Sequence, residues 1–191
     1  MARKDPPEPS VQPDMTPTLE RAAPPPDAMD ADAFVAMLKE HDRLLRSLVY
    51  RMVGNRDLMD DVLQEVYLKA FRARASFRGE SSPATWLYRI AYNACLDELR
   101  KNGRWQPAEL DEAMPDPAPE PGEQVALRGD IAAALDALPV EQRAAILLVD
   151  LHGMDYAAAG AVLGAGAGTV GSRVSRGRAA LRRILSEGNA R

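Results

Sequence analysis

The placement of proline constrains this chain more than any other feature. Of its 15 prolines, eight fall in residues 1–30 and five in residues 103–123. Proline lacks the backbone N–H and clashes with the preceding turn, so neither stretch can hold a helix interior or a central strand. Neither carries enough periodic apolar residues to bury. Residues 1–30 are therefore expected to be a disordered N-terminal extension, and residues 103–123 an extended, flexible linker. Two blocks of about 70 residues remain, 31–102 and 124–187, each small for a core that must stand alone. The last two prolines, Pro83 and Pro139, sit where helices can begin.

Charge follows the same division. The net formal charge is −4, but the tail and the linker are acidic while both blocks are slightly basic. The linker alone holds Glu109, Asp111, Glu112, Asp116, Glu120 and Glu123, which DNA would repel. One cysteine, Cys95, excludes an intramolecular disulfide framework, and with only His41 and His152 beside it a Cys-rich zinc site is excluded too. No metal and no cofactor is expected. The longest uncharged stretch, Tyr156–Ser172, holds five glycines and falls short of the roughly 20 apolar residues of a membrane span. The N-terminal MARKDPPEPSVQPD lacks the apolar core of a signal peptide. A soluble, cytoplasmic chain without membrane insertion is the expectation.

Both blocks show helical periodicity and no sustained alternation, so an all-α chain is predicted. Phe34, Met37, Leu38, His41, Leu44, Leu45, Leu48, Val49, Met52 and Val53 recur at steps of three and four, until Gly54-Asn55 breaks the pattern. A second helix, with Asp57 as its expected cap, carries Leu58, Val62, Val66 and Ala70. Ser82-Pro83 opens a third, running through Trp86, Leu87, Ile90, Ala91, Ala94, Cys95 and Leu99 to Gly103. Trp86, Leu87 and Cys95 are expected in the core. The second block reads as four short helices: Val125 to Ala137, a stretch opened by Pro139 and stopped by Gly153, a third capped by Asp155 and stopped by Gly164, and a last from about Gly168 to Leu185. The final pair, joined by a short glycine-bearing turn, has the helix-turn-helix pattern. Its last helix holds Arg173, Arg176, Arg178, Arg182 and Arg183, a footprint for phosphate or, on the plainer reading, a solvated face.

These segments resemble a known family. DDVLQEVYLKAFRARASFRGESSPATWLYRIAYNACLDELRK is similar to region two of bacterial RNA polymerase sigma factors, and ALPVEQRAAILLVDLHGMDYAAAGAVLGAGAGTVGSRVSRGRAALRRIL to their region four. With no folded segment between the blocks, the match is to the extracytoplasmic-function group. The resemblance implies two small helical domains: a region-two bundle at 31–102 that binds core polymerase and the minus-ten element, and a region-four helix-turn-helix at 124–187 that binds the minus-thirty-five element. It implies a non-enzymatic role, directing core RNA polymerase to promoters and assisting DNA melting. The partners implied are the coiled coil of the polymerase's largest subunit, its flap, promoter DNA and an anti-sigma factor.

The resemblance also assigns residues. Asp60, Asp61, Gln64, Glu65 and Leu68 would meet the polymerase coiled coil; Asp61, Gln64, Glu65 and Leu68 share one helix face by spacing. A carboxylate metal site there would lack an E-x-x-H partner. Phe77, Arg78, Ser81, Ser82, Thr85, Arg89, Ile90 and Asn93 would hold a base flipped from the minus-ten element. Phe77 and Ile90 offer apolar walls, the hydroxyls and the Asn93 amide offer hydrogen bonds, and the two arginines meet phosphates. Asn93 could equally be a plain buried amide. Thr169, Ser172, Arg173 and Arg176 would enter the major groove. This chain departs from the family pattern at Ala157-Ala158-Ala159, Gly166 and Gly171. Loss of a side chain at Gly171 and a helix-interior glycine costing about 1 kcal/mol predict weak minus-thirty-five binding by isolated region four. Two other classes stay open on the residues alone: a one-component helix-turn-helix regulator, and a helical polymerase-binding adaptor that reads no promoter.

Overall fold

The computed structural model describes residues 29–79, 81–104 and 128–188. All regular structure among them is helical. Helix α1 spans Ala31–Val53; the Asp30 carboxylate accepts from the Ala33 N–H at 2.7 Å at one end, and Gly54, at φ 70°, closes the other. Met29 packs against the core, so the last two residues of the expected tail belong to the first unit. Residues 1–28 and most of the linker lie outside the described residues. Most of the apolar stripe of α1 is buried as its spacing predicts; Leu38 and His41 are half-buried, and Leu44, at the stripe's edge, stays 41% exposed.

Helix α2 (Arg56–Ala73) is capped by Asn55 rather than Asp57: Asn55 Oδ1 accepts from the Asp57 and Leu58 N–H groups at 2.8 and 3.2 Å. The left-handed turn at Gly54 reverses the chain in one residue, so the extended cap position falls on Asn55 and Asp57 enters the first turn, where its charge suits the positive helix end. A short 3-10 turn, Arg74–Ser76, follows. Helix α3 (Pro83–Lys101) begins at Ser82, whose Oγ accepts from the Thr85 N–H at 3.1 Å. Helices α1, α2 and α3 pack on one another, with Trp86, Leu87, Ala91, Ala94, Cys95 and Leu99 buried.

In the second unit, α4 covers Arg128–Asp136; residues 125–127 of the expected helix lie outside the described residues. Helix α5 (Val140–Ile146) runs into a wider π-helical turn, Leu147–Leu151, which periodicity alone did not foretell. Helix α6 is Tyr156–Leu163, with the Asp155 side chain accepting from the Ala158 N–H as expected, and α7 is Ala167–Gly188. A Cβ on Gly171 of α7 would stand 3.4 Å from Cε2 of Tyr156 on α6, in ordinary van der Waals contact with that ring.

The two units pack against each other, α3 on α6 and α1 on α4 and α5, and share one continuous core. Arg143, 5% exposed, joins them. Its guanidinium donates to the Met52 carbonyl at the end of α1 (2.7 Å), to Asp136 Oδ1 (2.9 Å) and to the Asp136 carbonyl (2.7 Å). Arg104, beyond α3, donates to the Val53 carbonyl at 2.7 Å. The last carbonyls of a helix have no partner within it, and here two arginines supply them. Asp136 comes so close that a Cβ on Gly54 would stand 2.6 Å from its Oδ2.

Arg143→Leu removes these bonds and leaves buried carbonyls unpaired, so urea denaturation is expected to show a loss of about 3 kcal/mol. Gly160→Ala would set a Cβ 2.4 Å from the Ala165 carbonyl oxygen, and is expected to destabilise by more than about 1 kcal/mol. Gly171→Ala meets only ordinary contacts and should stabilise by about 0.5–1 kcal/mol in the same assay.

Candidate nucleic-acid interface

Where α2 gives way to α3, the chain forms a cleft of about 340 Å³ lined by Ser76, Phe77, Arg78, Ser81, Trp86 and Arg89. Two local bonds shape its rim: Ser76 Oγ donates to the Ala73 carbonyl at 2.8 Å, and the Phe77 N–H donates to the Arg74 carbonyl at 3.3 Å. Phe77 and Trp86 meet with ring centroids 5.3 Å apart and planes tilted by 56°. An aromatic pair thus forms one wall while the exposed Arg78 and Arg89 stand at the edge. Such a cleft offers aromatic surface, two hydroxyls and two cations, suited to a planar base and its phosphates.

Of the eight residues expected here, Phe77, Arg78, Ser81 and Arg89 line the cleft. Ser82 and Thr85 are engaged in the helix cap, with their hydroxyls 2.8 Å apart. Ile90 is half-buried and packs on the core. Asn93 is exposed, which removes its reading as a buried amide; it stands one helical turn beyond Arg89. Sequence reasoning missed Ser76 and assigned Trp86 only to the core. Trp86 is 7% exposed and is both core and cleft wall, a dual position that its spacing of three from Arg89 permits.

On α2, Asp60, Asp61 and Gln64 are exposed, and Leu68 is 49% exposed. Glu65 is drawn aside by Lys69 at 2.8 Å, and Asp60 lies 3.7 Å from Arg46. Asp61, Gln64 and Leu68 continue by helical spacing to Phe71, which sequence reasoning left out of this face. Phe71 is 45% exposed, carries the Arg74 guanidinium 3.8 Å above its ring and meets Phe34 edge-on. Beside it, Tyr67 donates to Asp42, and burial together with that carboxylate pushes its phenol up to about 12.

At the start of α7, Thr169 and Ser172 are exposed, and Ser172 Oγ donates to the Thr169 carbonyl at 2.9 Å. Arg176 folds back along its own helix, Nε reaching the Ser172 carbonyl at 3.3 Å. Arg173 is half-buried and near enough to Tyr92 of α3 for its charge to bear on that phenol, together with Glu141 and Arg100. Arg178 is held by Asp150, with contacts of 2.6 and 3.1 Å. The arginine run is therefore not one uniform surface.

Comparison with known proteins agrees with this arrangement of two helical units. The family model Sigma-70 region 2 matches residues 37–104, and Sigma-70, region 4 matches residues 128–181. The ECF RNA polymerase sigma factor SigM of Mycobacterium tuberculosis is 39% identical over 158 residues, covering 83% of this chain and 80% of that protein. The ECF RNA polymerase sigma-E factor of Escherichia coli is 34% identical over 165 residues, covering 80% of this chain and 86% of that protein. Among solved structures, the sigma factor RpoE in complex with the anti-sigma factor NepR from Bartonella quintana superposes with a TM-score of 0.65 at 31% identity, covering 80% of this chain and 96% of that one. The two matched regions define a sigma-70 class protein, and the chain belongs to the extracytoplasmic-function RNA polymerase sigma factors.

Cys95 lies wholly buried on α3, and burial pushes its thiol up to about 12. Thiol labelling of the native chain at pH 8 is expected to be negligible and to become rapid only in denaturant. Fast labelling without unfolding would show that α3 opens locally.

Proposed function

We propose that this alternative sigma factor divides its work among three surfaces. The exposed strip of α2, Asp60, Asp61, Gln64 and Leu68 with Phe71 added and Glu65 at its margin, docks on a coiled coil of core polymerase. The cleft at the start of α3 captures an unstacked base of the minus-ten element between Phe77 and the polar groups of Ser76 and Ser81. Arg78 and Arg89 hold the flanking phosphates, and Asn93 stands on the same helix for the next base edge. Thr169, Ser172, Arg173 and Arg176, at the N-terminal turns of α7, meet the minus-thirty-five element. The chain supplies binding energy to promoter opening and performs no bond chemistry, and it acts with the polymerase in the cytoplasm. An anti-sigma partner is supported by the complex in which the RpoE relative was solved.

The aromatic-walled cleft carries this reading. Extruding a base costs a few kcal/mol, and stacking on an aromatic ring returns about 1–3 kcal/mol per base. Run-off transcription with core polymerase tests it. Phe77→Ala is expected to lower promoter-dependent product about tenfold or more, and Arg89→Ala to lower it with a shallower dependence on salt. Asp61→Ala combined with Leu68→Ala is expected to weaken core binding, with transcription recovering as the sigma concentration is raised. Core binding with no promoter-dependent product would leave an adaptor. Tight sequence-specific duplex binding by the chain alone would identify a one-component regulator.

A further inference from the structure

A histidine sits between the two units. His152 follows the π-helical turn, and both its ring nitrogens are buried with no hydrogen-bond partner. Its ring meets that of Tyr88 on α3, centroids 5.2 Å apart and planes at 60°, and Tyr88 is itself buried. The imidazole thus serves in this contact as an apolar ring. A neutral imidazole still carries one donor and one acceptor, and the protonated form carries two donors and a charge. Burying that charge without a partner costs far more than burying the neutral ring.

The groups around His152 sharpen the difference. From α1, the half-buried Arg51 opposes a positive ring. From α3, Tyr88 stays neutral, its phenol pushed up to about 12 by burial. Acids of the adjoining elements have other partners: Asp150 holds Arg178, Asp155 accepts from the Ala158 N–H, Asp136 accepts from Arg143, and Glu141 of α5 faces Tyr92.

We propose that the contact between the two helical units is an acid-released clasp, in which neutral His152 seated on Tyr88 holds the units together and the protonated ring parts them. The inference goes beyond the promoter reading and stands on the packing of the free chain alone. Burial and Arg51 lower the pKa of His152 in the closed form, whereas in the parted form the ring meets water and returns toward about 6.5. The closed form is therefore fully favoured above that ordinary value and loses ground as pH falls through the lowered one. Between the two, each pH unit reduces the closed-to-parted ratio by up to about tenfold. The Arg143 bond to Met52 does not titrate in this range, so the acid response resides in His152. Parting also withdraws Arg173 from Tyr92.

Small-angle X-ray scattering of the full chain from pH 7.5 to 5.0, with circular dichroism alongside, tests the clasp. The radius of gyration is expected to rise below about pH 6.5 with helix content unchanged. His152→Phe, which keeps an aromatic ring on Tyr88, is expected to stay compact throughout. Arg51→Gln removes the opposing charge and is expected to weaken the acid response, which gives an independent readout should the first variant fail to fold. A wild-type chain that stays compact, a His152→Phe chain that expands like wild type, an Arg51→Gln response equal to wild type, or expansion accompanied by loss of helix would each overturn the proposal.

Discussion

The C-terminus of α1 depends on two arginines brought from far along the chain. A helix end exposes carbonyls that must find donors when buried, and Gly54 turns the backbone away too quickly for its own continuation to supply them all. Its N–H reaches back only to the Tyr50 carbonyl. Met52 and Val53 receive their bonds from Arg143 and Arg104. Arg104 ties the end of α3 to α1 within the first unit, while Arg143 ties the second unit to the first. Burial lowers the Arg143 pKa and the nearby Arg104 adds to that effect, with Asp136 opposing both. The guanidinium stays charged because its ordinary value lies so high, and the buried charge is compensated by Asp136 and a set of carbonyl dipoles.

Helix α3 has two employments as a result. Its first turns and the preceding loop shape the cleft of Phe77, Trp86 and Arg89, while Tyr88 and Tyr92 turn toward the second unit. The same helix thus carries the aromatic-walled cleft and a face on which the second unit rests. In this arrangement Arg173, near the start of α7, is half-buried and its charge bears on the Tyr92 phenol of α3. Separation of the units would change access to α7 without disturbing the local geometry of the cleft, since the cleft's lining comes from the first unit.

Much of this was legible in the sequence because it follows from local rules. Ser82-Pro83 and Asp155 capped helices where expected, Gly54 and Gly164 ended them, and of the α1 stripe's leucines, valines, methionines and phenylalanine all but Leu38 and Leu44 are buried. The cap of α2 was misplaced by two residues because the tightness of the Gly54 reversal is a backbone property that spacing does not report. Four of the eight cleft residues were brought together; Ser82 and Thr85 were taken up by capping, a competing use that the same residue types invite. Ser76 was missed because it belongs to a 3-10 turn with no periodic signature.

Helix positions, their breaks and the family were therefore written in residue order, since each rests on interactions spanning three or four residues. The packing of one unit on the other was not, because the Arg143–Met52 bond joins residues 91 apart and Tyr88 meets His152, 64 residues further along the chain. Such contacts depend on the orientation of whole helices, and an arginine after a helix start or a tyrosine on a buried helix looks the same in sequence whether or not a second unit lies against it.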